Sequence, residues 1–547
     1  MTRRTIIRRL LYTLGSLAII LSLATWIFLS FYFEKTLNTV VVPKLEQATF
    51  KATHGRFTLT LDKISYAHGR LVCNTFILTR VAYAGGEHGL VLGHMTLDSA
   101  RFEGISWWDV LWGNDLALTS LQLDAPRAYM TNADSDIVLP RIQPAASAPS
   151  ISKISLISFD SVVLRNADVY LPQRAGNASE PAYRNITVWL TDFSLDPSHK
   201  VVIPSLFSGH VEFNFPGGDY PIGDSTYSIH VRGIHGSLTD SLVTIDSLSY
   251  LPNYNEQAFA DLHKYFQDRL EYRCNGIRVR GIDFSKLMGS AGLFVRLFEV
   301  TSWSVDYYGD MRKAHNPHPV VAVLPHTIVN GITSAITIDS IVMNNGHIQH
   351  RERIAGSTHA SLLTFTHARV TAHPFSTDHS STYYKAPLQI SVSALFLDQA
   401  RVLGTIIYPI HDRSFNLHVD ATVSAFDLTR LNSYLISNER KEITSGKCLA
   451  STLSMDVRSG TATTTVCPRY SDVSMRVLAT NVKEKRGFME GLKSFIANTF
   501  VLRTNNVDDG SSKAFSGTTT YVRQNTQEFF EFIWLALRKS IQKVVGF

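Results

Sequence analysis

The chain has 547 residues, 45% of them apolar and 11% aromatic, which is enough to bury a large core and excludes a disordered polypeptide. Its formal charge of +6 comes mostly from Arg3, Arg4, Arg8 and Arg9; 52 basic residues less these four leaves 48 against 46 acidic ones. The body is nearly neutral, so the basic footprint of a nucleic-acid binder is missing.

The first predicted element follows a tail at residues 1–9. Residues 10–33 are an uncharged apolar run, and as a helix they would extend about 36 Å, enough to cross a hydrocarbon core with some tilt. The arginines in front predict a cytoplasmic N-terminus and an external location for everything after Glu34. A cleaved signal peptide ending near Ser22-Leu23-Ala24 is the competing reading. The run continues to Phe33, longer than a signal core, which favours an uncleaved anchor.

The rest of the chain alternates with period two. The stretches 57–61, 388–394, 415–423 and 453–457 read as strands with one apolar and one polar face. The helical signals are SWWDVLWG from Ser106, an amphipathic segment at 255–270, and the closing segment 527–547. A Pro/Ala/Ser linker at 140–150 separates a first β module, 34–139, from a middle β segment, 151–313; AHNPHPVVAVLPH at 314–326 marks a second break before a C-terminal β segment, 327–526.

One phrase recurs: HMTLDSARF from His94, ISFDSVVL from Ile157, VTIDSLSY from Val243 and ITIDSIVM from Ile336. The apolar parity shifts by one across each Asp-Ser. If both halves serve the same face, an extra residue must be absorbed there, by a β-bulge or a tight turn. Repetition would curl a long sheet while keeping one continuous apolar side.

Signatures of chemistry are missing. The sequence holds no HExxH, GxxxxGKS/T, GxSxG or strand-preceded GxGxxG. His347 and His350 are three apart, which on a strand places them on opposite faces and argues against a shared metal. The patterned acids Asp98, Asp160, Asp246 and Asp339 read as turn residues. No catalytic residue, cofactor or metal is expected. Cys73, Cys274, Cys448 and Cys467 lack CxxC spacing and read as buried, with Cys448 and Cys467 the pair to join if the compartment is oxidising.

In their order along the chain, several segments resemble the AsmA-like family, envelope proteins of diderm bacteria related to the larger TamB and YhdP proteins. They are the N-terminal anchor, LTSLQLDAPRAYM, ISKISLISFDSVVLRNADVYL, the block from VDYYGDMRKAHNPHPVVAVLPHTI to ITIDSIVMNNGHIQHRER, FDLTRLNSYL with SGKCLASTLSMDVRSGTATTTVCPRYSDVSMRVL, and VRQNTQEFFEFIWLALRKSIQKVVGF. His350 stands where the family usually has tyrosine. The resemblance implies a mainly β protein: an N-terminal transmembrane helix, a long curved antiparallel sheet rolled into an elongated apolar groove, few short helices, and a C-terminal amphipathic helix. It implies an inner-membrane protein, single-pass, with its bulk in the periplasm. Its partners would be phospholipid or another acyl lipid, and the outer membrane or an outer-membrane protein through the C-terminal helix. The function would be phospholipid transport between the two membranes and outer-membrane lipid homeostasis, without catalysis. A non-transporting periplasmic scaffold or assembly factor is the alternative.

Candidate groove-lining residues are Phe57, Leu59, Leu61, Ile245, Ile338, Ile390, Val392, Leu417, Val419 and Val423; ordinary sandwich core explains each of them singly. In the terminal helix Phe529, Phe530, Ile533, Trp534, Leu537 and Ile541 form an apolar stripe opposite Lys539 and Lys543. That stripe suits a membrane surface, a plug in the groove, or a cap on the helix's own sheet.

Overall fold

The computed structural model describes residues 16–17, 19–23, 33–36, 38–39, 42–52, 57–67, 70–73, 75–80, 90–104, 115–132, 156–171, 181–195, 210–223, 225–288, 292–357, 359–478, 503–508 and 513–546. Among them, 25 strands belong to one long, mixed, mostly antiparallel sheet with few short helices and one C-terminal helix. They divide into two compact units, 1–217 with 234–240, and 218–233 with 241–547.

Of the expected span 10–33, residues 16–17, 19–23 and 33 are described; they are helical, with Leu17, Ile19, Ile20, Leu21 and Leu23 exposed. Most of that span, the segment from Ser106 and the linker 140–150 lie outside the described residues. Among the described residues no helix is long and apolar enough to cross a membrane.

The first unit begins with helices α1 (Phe33–Thr36) and α2 (Val42–Ala52). Short strands follow: β1 (Phe57–Leu61), β2 (Ile64–Ala67), β3 (Arg70–Cys73), β4 (Phe76–Arg80), β5 (Leu90–Leu97), β6 (Ser99–Glu103), β7 (Asp115–Asp124) and β8 (Arg127–Asn132). Longer ones come next: β9 (Leu156–Tyr170), β10 (Tyr183–Leu195), β11 (Val211–Ile222) and β12 (Tyr227–Ser237), the last two shared with the second unit. Alternate residues of these strands form an apolar core with Val42 and Leu45 of α2.

The second unit adds β13 (Leu242–Pro252), α3 (Glu256–Leu262), β14 (Arg269–Arg280), α4 (Phe284–Met288), β15 (Leu293–Asp310), α5 (Pro325–Asn330), β16 (Ile336–Arg353), β17 (Ser361–His373) and β18 (Phe375–Ser376). It continues with β19 (Leu388–Phe396), β20 (Ala400–Tyr408), β21 (Leu417–Val423), β22 (Phe426–Asp427), α6 (Asn432–Glu439), β23 (Lys441–Arg458), β24 (Thr461–Val477), β25 (Gly517–Val522) and α7 (Phe529–Val545).

Two expectations change. The sheet is mixed rather than antiparallel: β7 and β8 each pair parallel with β9, and β15 pairs parallel with β16. The stretch 314–326 lies in the crossover between β15 and β16, whose length lets the chain return to start a parallel neighbour. The helix expected at 255–270 stops at Leu262. Asn255 caps it by accepting from the Ala258 N–H at 2.9 Å, but from Arg269 onward the chain pairs with both β13 and β15, and that pairing overrides helical periodicity. The terminal helix forms as expected, with a capping box between Glu528 and Glu531 and Gly546 in a left-handed C-cap.

Candidate functional site

The first Asp-Ser phrase stands between two strands, and the other three lie inside β9, β13 and β16. At the first, Asp98 separates β5, which pairs with β4 and β8, from β6, which pairs with β3 and β7. Met95, Leu97, Ala100 and Phe102 are all buried in the same core, so the parity shift does keep one face apolar. At the second, the register runs through without slip: Phe159 faces Phe193 and Ser161 faces Thr191, with Asp160 and Asp192 between. The parallel neighbour repeats the step, Leu118 facing Phe159 and Ser120 facing Ser161. Leu118 and Leu121, Phe159 and Val162, and Leu190 and Phe193, each pair three residues apart, join one core. Of the two expected devices, a β-bulge or a tight turn, no bulge occurs here, because the paired strands shift parity together. Asp192 adopts φ 53°, a region that short polar side chains tolerate.

A longer row crosses the second unit. Ile245 faces Ile277 and Ser247 faces Asn275, so Asp246 stands opposite Gly276. Gly276 has φ +61°, and a Cβ there would lie 2.6 Å from Thr301 Oγ1, which donates to the Gly276 carbonyl at 2.9 Å. In β16 and β17 the row continues at Asn345 (φ 47°) and His367 (φ 50°), where the register slips by one and recovers. A Cβ on Gly346 would lie 2.3 Å from the Trp303 ring, so glycine makes room for the indole. The fourth phrase places Asp339 opposite Pro374, in the gap between β17 and β18, since Ile338 faces Phe375 and Ile341 faces Ala372.

This second row organises an apolar face. Cys274, Ile277, Val300, Trp303, Ala368 and Ala394 are buried, and Ile245, Leu248, Val279, Phe298, Val305 and Ile348 are half-buried against them. Every residue of this cluster lies on β13–β17 or β19; among the described residues no helix contributes to it.

The neighbouring face is different. On β19–β25, Leu417, Met455, Val457 and Ala462 pack with Phe532 and Ala536 of α7, both fully buried. Ser540 and Val544 continue the inner stripe, and Ser540 Oγ donates to the Thr464 carbonyl at 3.0 Å. Lys539 and Lys543 donate to the Thr520 and Thr518 carbonyls of β25, each at 2.9 Å, and Arg538 pairs with Glu439 at 2.7 Å.

The expected lining residues are thus divided. Phe57, Leu59 and Leu61 belong to β1, the last two in the first unit's core with α2. Ile245 lies on the helix-free face. Ile390, Leu417 and Val419 belong to the cluster that Phe532 and Ala536 of α7 complete, with Ile338 opposite Phe375 at its border. Val392 and Val423 are half-buried, opposite Val370 and Ser451. In α7, Phe529, Ile533 and Leu537 pack on the sheet and Ile541 is half-buried, whereas Phe530 and Trp534 face outward.

The opposite face of the same strands carries a cleft of about 810 Å³, lined by hydroxyl residues such as Thr371, Ser393, Thr405 and Thr452 with Leu403 and Asp420. At its margin His418 lies between Asp420 (2.8 Å) and Asp456 (3.0 Å). Those hydrogen bonds, Asp420 first, raise the imidazole pKa. Ser454 bonds Asp420.

A second polar group closes one end of β14–β16. Asp268 is half-buried, with its Oδ1 fully enclosed and unpartnered; burial pushes its carboxyl up to about 6, opposed by a hydrogen bond from Tyr307 and reinforced by Glu528 and Glu352. His350 stacks on Tyr307 and meets Glu352 at 3.0 Å, and Asn438 donates to Glu352. His347 instead contacts Gln349. No group of three or more His, Cys, Asp or Glu among the described residues has metal-binding geometry. All four cysteines are free; Cys467 faces Thr452, four positions along β23 from Cys448.

No family model matches the chain, and no curated protein is significantly similar to it. The sequence signal for these sites lay in their partners: glycine and asparagine inside strands mark them, but only the pairing sets Gly276 opposite Asp246 and brings Asn345 and His367 close to that row.

Proposed function

We propose that this chain is an inner-membrane-anchored periplasmic protein of AsmA-like type, whose apolar sheet face forms a curved groove carrying phospholipid between inner and outer membranes. Anchoring would fall to residues 10–33, with the preceding arginines cytoplasmic. Moving a 16-carbon acyl chain through water costs on the order of 13 kcal/mol at ~0.8 kcal/mol per CH₂, so transit requires an apolar lining. The observation that carries the reading is the helix-free face of β13–β19, where half-buried Ile245, Leu248, Val279, Phe298, Val305 and Ile348 lie side by side. Matched parity shifts supply its continuity, because each keeps the apolar side on one face of the sheet. No catalytic residue or cofactor belongs to this reading.

A second reading, a non-transporting scaffold for envelope assembly, is favoured by the region where α7 already occupies the apolar face. Lipid analysis separates the two. The detergent-extracted full chain should retain acyl lipid detectable by mass spectrometry, and Ile245→Asp with Val305→Asp should deplete it while the fold persists. Protein that is lipid-free before mutation would favour the scaffold.

A further inference from the structure

Among the described residues the sheet ends at β25, which pairs with β24 and with no other strand. Register shows which of its groups face outward. Thr463 faces Thr520 and Thr465 faces Thr518, while the Arg523 N–H donates to the Gly460 carbonyl at 3.0 Å. Bonded and non-bonded pairs alternate along an antiparallel ladder, so Thr518, Thr520 and Val522 turn their N–H and C=O groups away from β24. An open row of this kind is a template for a further strand. The strand's own sequence does nothing to blunt it: GTTTYV has no charge and no proline, and four of its six residues are β-branched. The blunting comes from α7. Lys539 Nζ donates to the Thr520 carbonyl and Lys543 Nζ to the Thr518 carbonyl, each at 2.9 Å. Four helical residues rise about 6 Å and two strand residues advance about 7 Å, so lysines four apart meet alternate carbonyls of a strand running the other way. Ser540, bonded to the Thr464 carbonyl at 3.0 Å, fixes the helix in that rotation. Gly517 permits the close approach, since a Cβ there would lie 2.6 Å from Val544 Cγ2 and 2.7 Å from the Ser540 carbonyl oxygen. Both lysines stay exposed, so the edge is closed by charge and not by burial.

We infer that Lys539 and Lys543 guard the β25 edge against pairing with a second copy of this chain. A second copy is the strand that fits. The outward residues are symmetric about Thr520, so a two-fold antiparallel seam sets Thr520 opposite Thr520 and Thr518 opposite Val522. That seam joins β-branched side chains on both sides and places no like charges of the strands themselves face to face. The lysines oppose it in two ways. Each takes a carbonyl that the seam needs, and the seam would set Lys539 beside its own copy across the two-fold axis, where like charges repel. The guard goes beyond the transport reading, since it holds with or without lipid on the helix-free face.

The test uses the detergent-solubilised full chain with Cys467→Ser and a nitroxide on Thr463→Cys, an exposed position on β24. Lys539→Met with Lys543→Met should raise the dimer fraction about tenfold at equal protein concentration, and Lys539→Met alone, which leaves one lysine in place, about threefold. Three strand spacings of ~4.8 Å separate the two labels across the seam, so the dimer should show spin–spin distances below about 25 Å. Lys539→Arg with Lys543→Arg should behave as the parent chain. Thr520→Pro removes an outward N–H and spares the bonds to β24, so adding it to the methionine pair should abolish the dimer. Three results would overturn the inference. One is a methionine variant, single or double, that keeps the parent melting temperature and gains no dimer. The second is a dimer that survives Thr520→Pro or gives no short distance at position 463, which would place the contact elsewhere. The third is a parent chain that already shows the short distance, which would mean that the lysines do not close the edge.

Discussion

Two stretches of the second unit share the same alternating pattern and differ in what meets their apolar side. On β19–β25 the apolar cluster is completed by Phe532 and Ala536 of α7, which packs on β24 and β25, and Leu417 and Met455 are almost completely buried. On β13–β17 with β19 the cluster is made of strand residues alone, several of them half-buried. Alternation thus specifies which face is apolar, while the terminal helix adds side chains to one stretch of it and not to the other.

The comparison breaks most visibly under charge. Leu417→Asp should cost about 3–5 kcal/mol, because a buried leucine is lost and a carboxylate is left without a partner in that cluster. Ile245→Asp, at a half-buried position, should cost about 1–2 kcal/mol. Urea melts of the two variants check this, and equal losses would mean that both faces are equally sealed.

Asp268 sharpens the picture at the end of the same strands. Its folded-state carboxyl titrates near 6, above the unfolded value of about 4. The folded state therefore binds more protons between those values, and stability falls as pH rises through that window. Asp268→Asn should stabilise the protein on the order of 3 kcal/mol at pH 7.5, with the gain gone below about pH 4. Melts at the two pH values measure it, and a gain that is independent of pH would remove the buried carboxylate as its cause.

The row through Gly276 predicts a smaller effect. Gly276→Ala should cost about 1–3 kcal/mol, since alanine at φ +61° is strained and its Cβ meets Thr301. Gly404→Ala, with ordinary contacts 3.7 Å and 3.8 Å away, should be close to neutral.

Much of this was legible in the sequence and some was not. The strands at 57–61 and 388–394 follow from alternation, and the terminal helix from its stripe and its capping residues. The Asp-Ser phrases announced a parity shift, but whether one strand or a whole row absorbs it depends on pairing between distant segments. Which side of α7 faces the sheet was hidden because Phe530 and Trp534 widen the apolar stripe beyond what packing uses. The helix at 255–270 was over-read because Leu262, Phe266 and Leu270 recur at helical spacing and carry the pattern into the strand beginning at Arg269.

The central claim is that the helix-free face holds acyl chains. A photo-crosslinking amino acid placed at Ile245 or Val305, and at fully buried Met455 in the cluster that α7 completes, tests it in intact cells. Phospholipid adducts should form at Ile245 and Val305 and be absent at Met455. Adducts at Met455 alone, or at none of the three, would contradict the account.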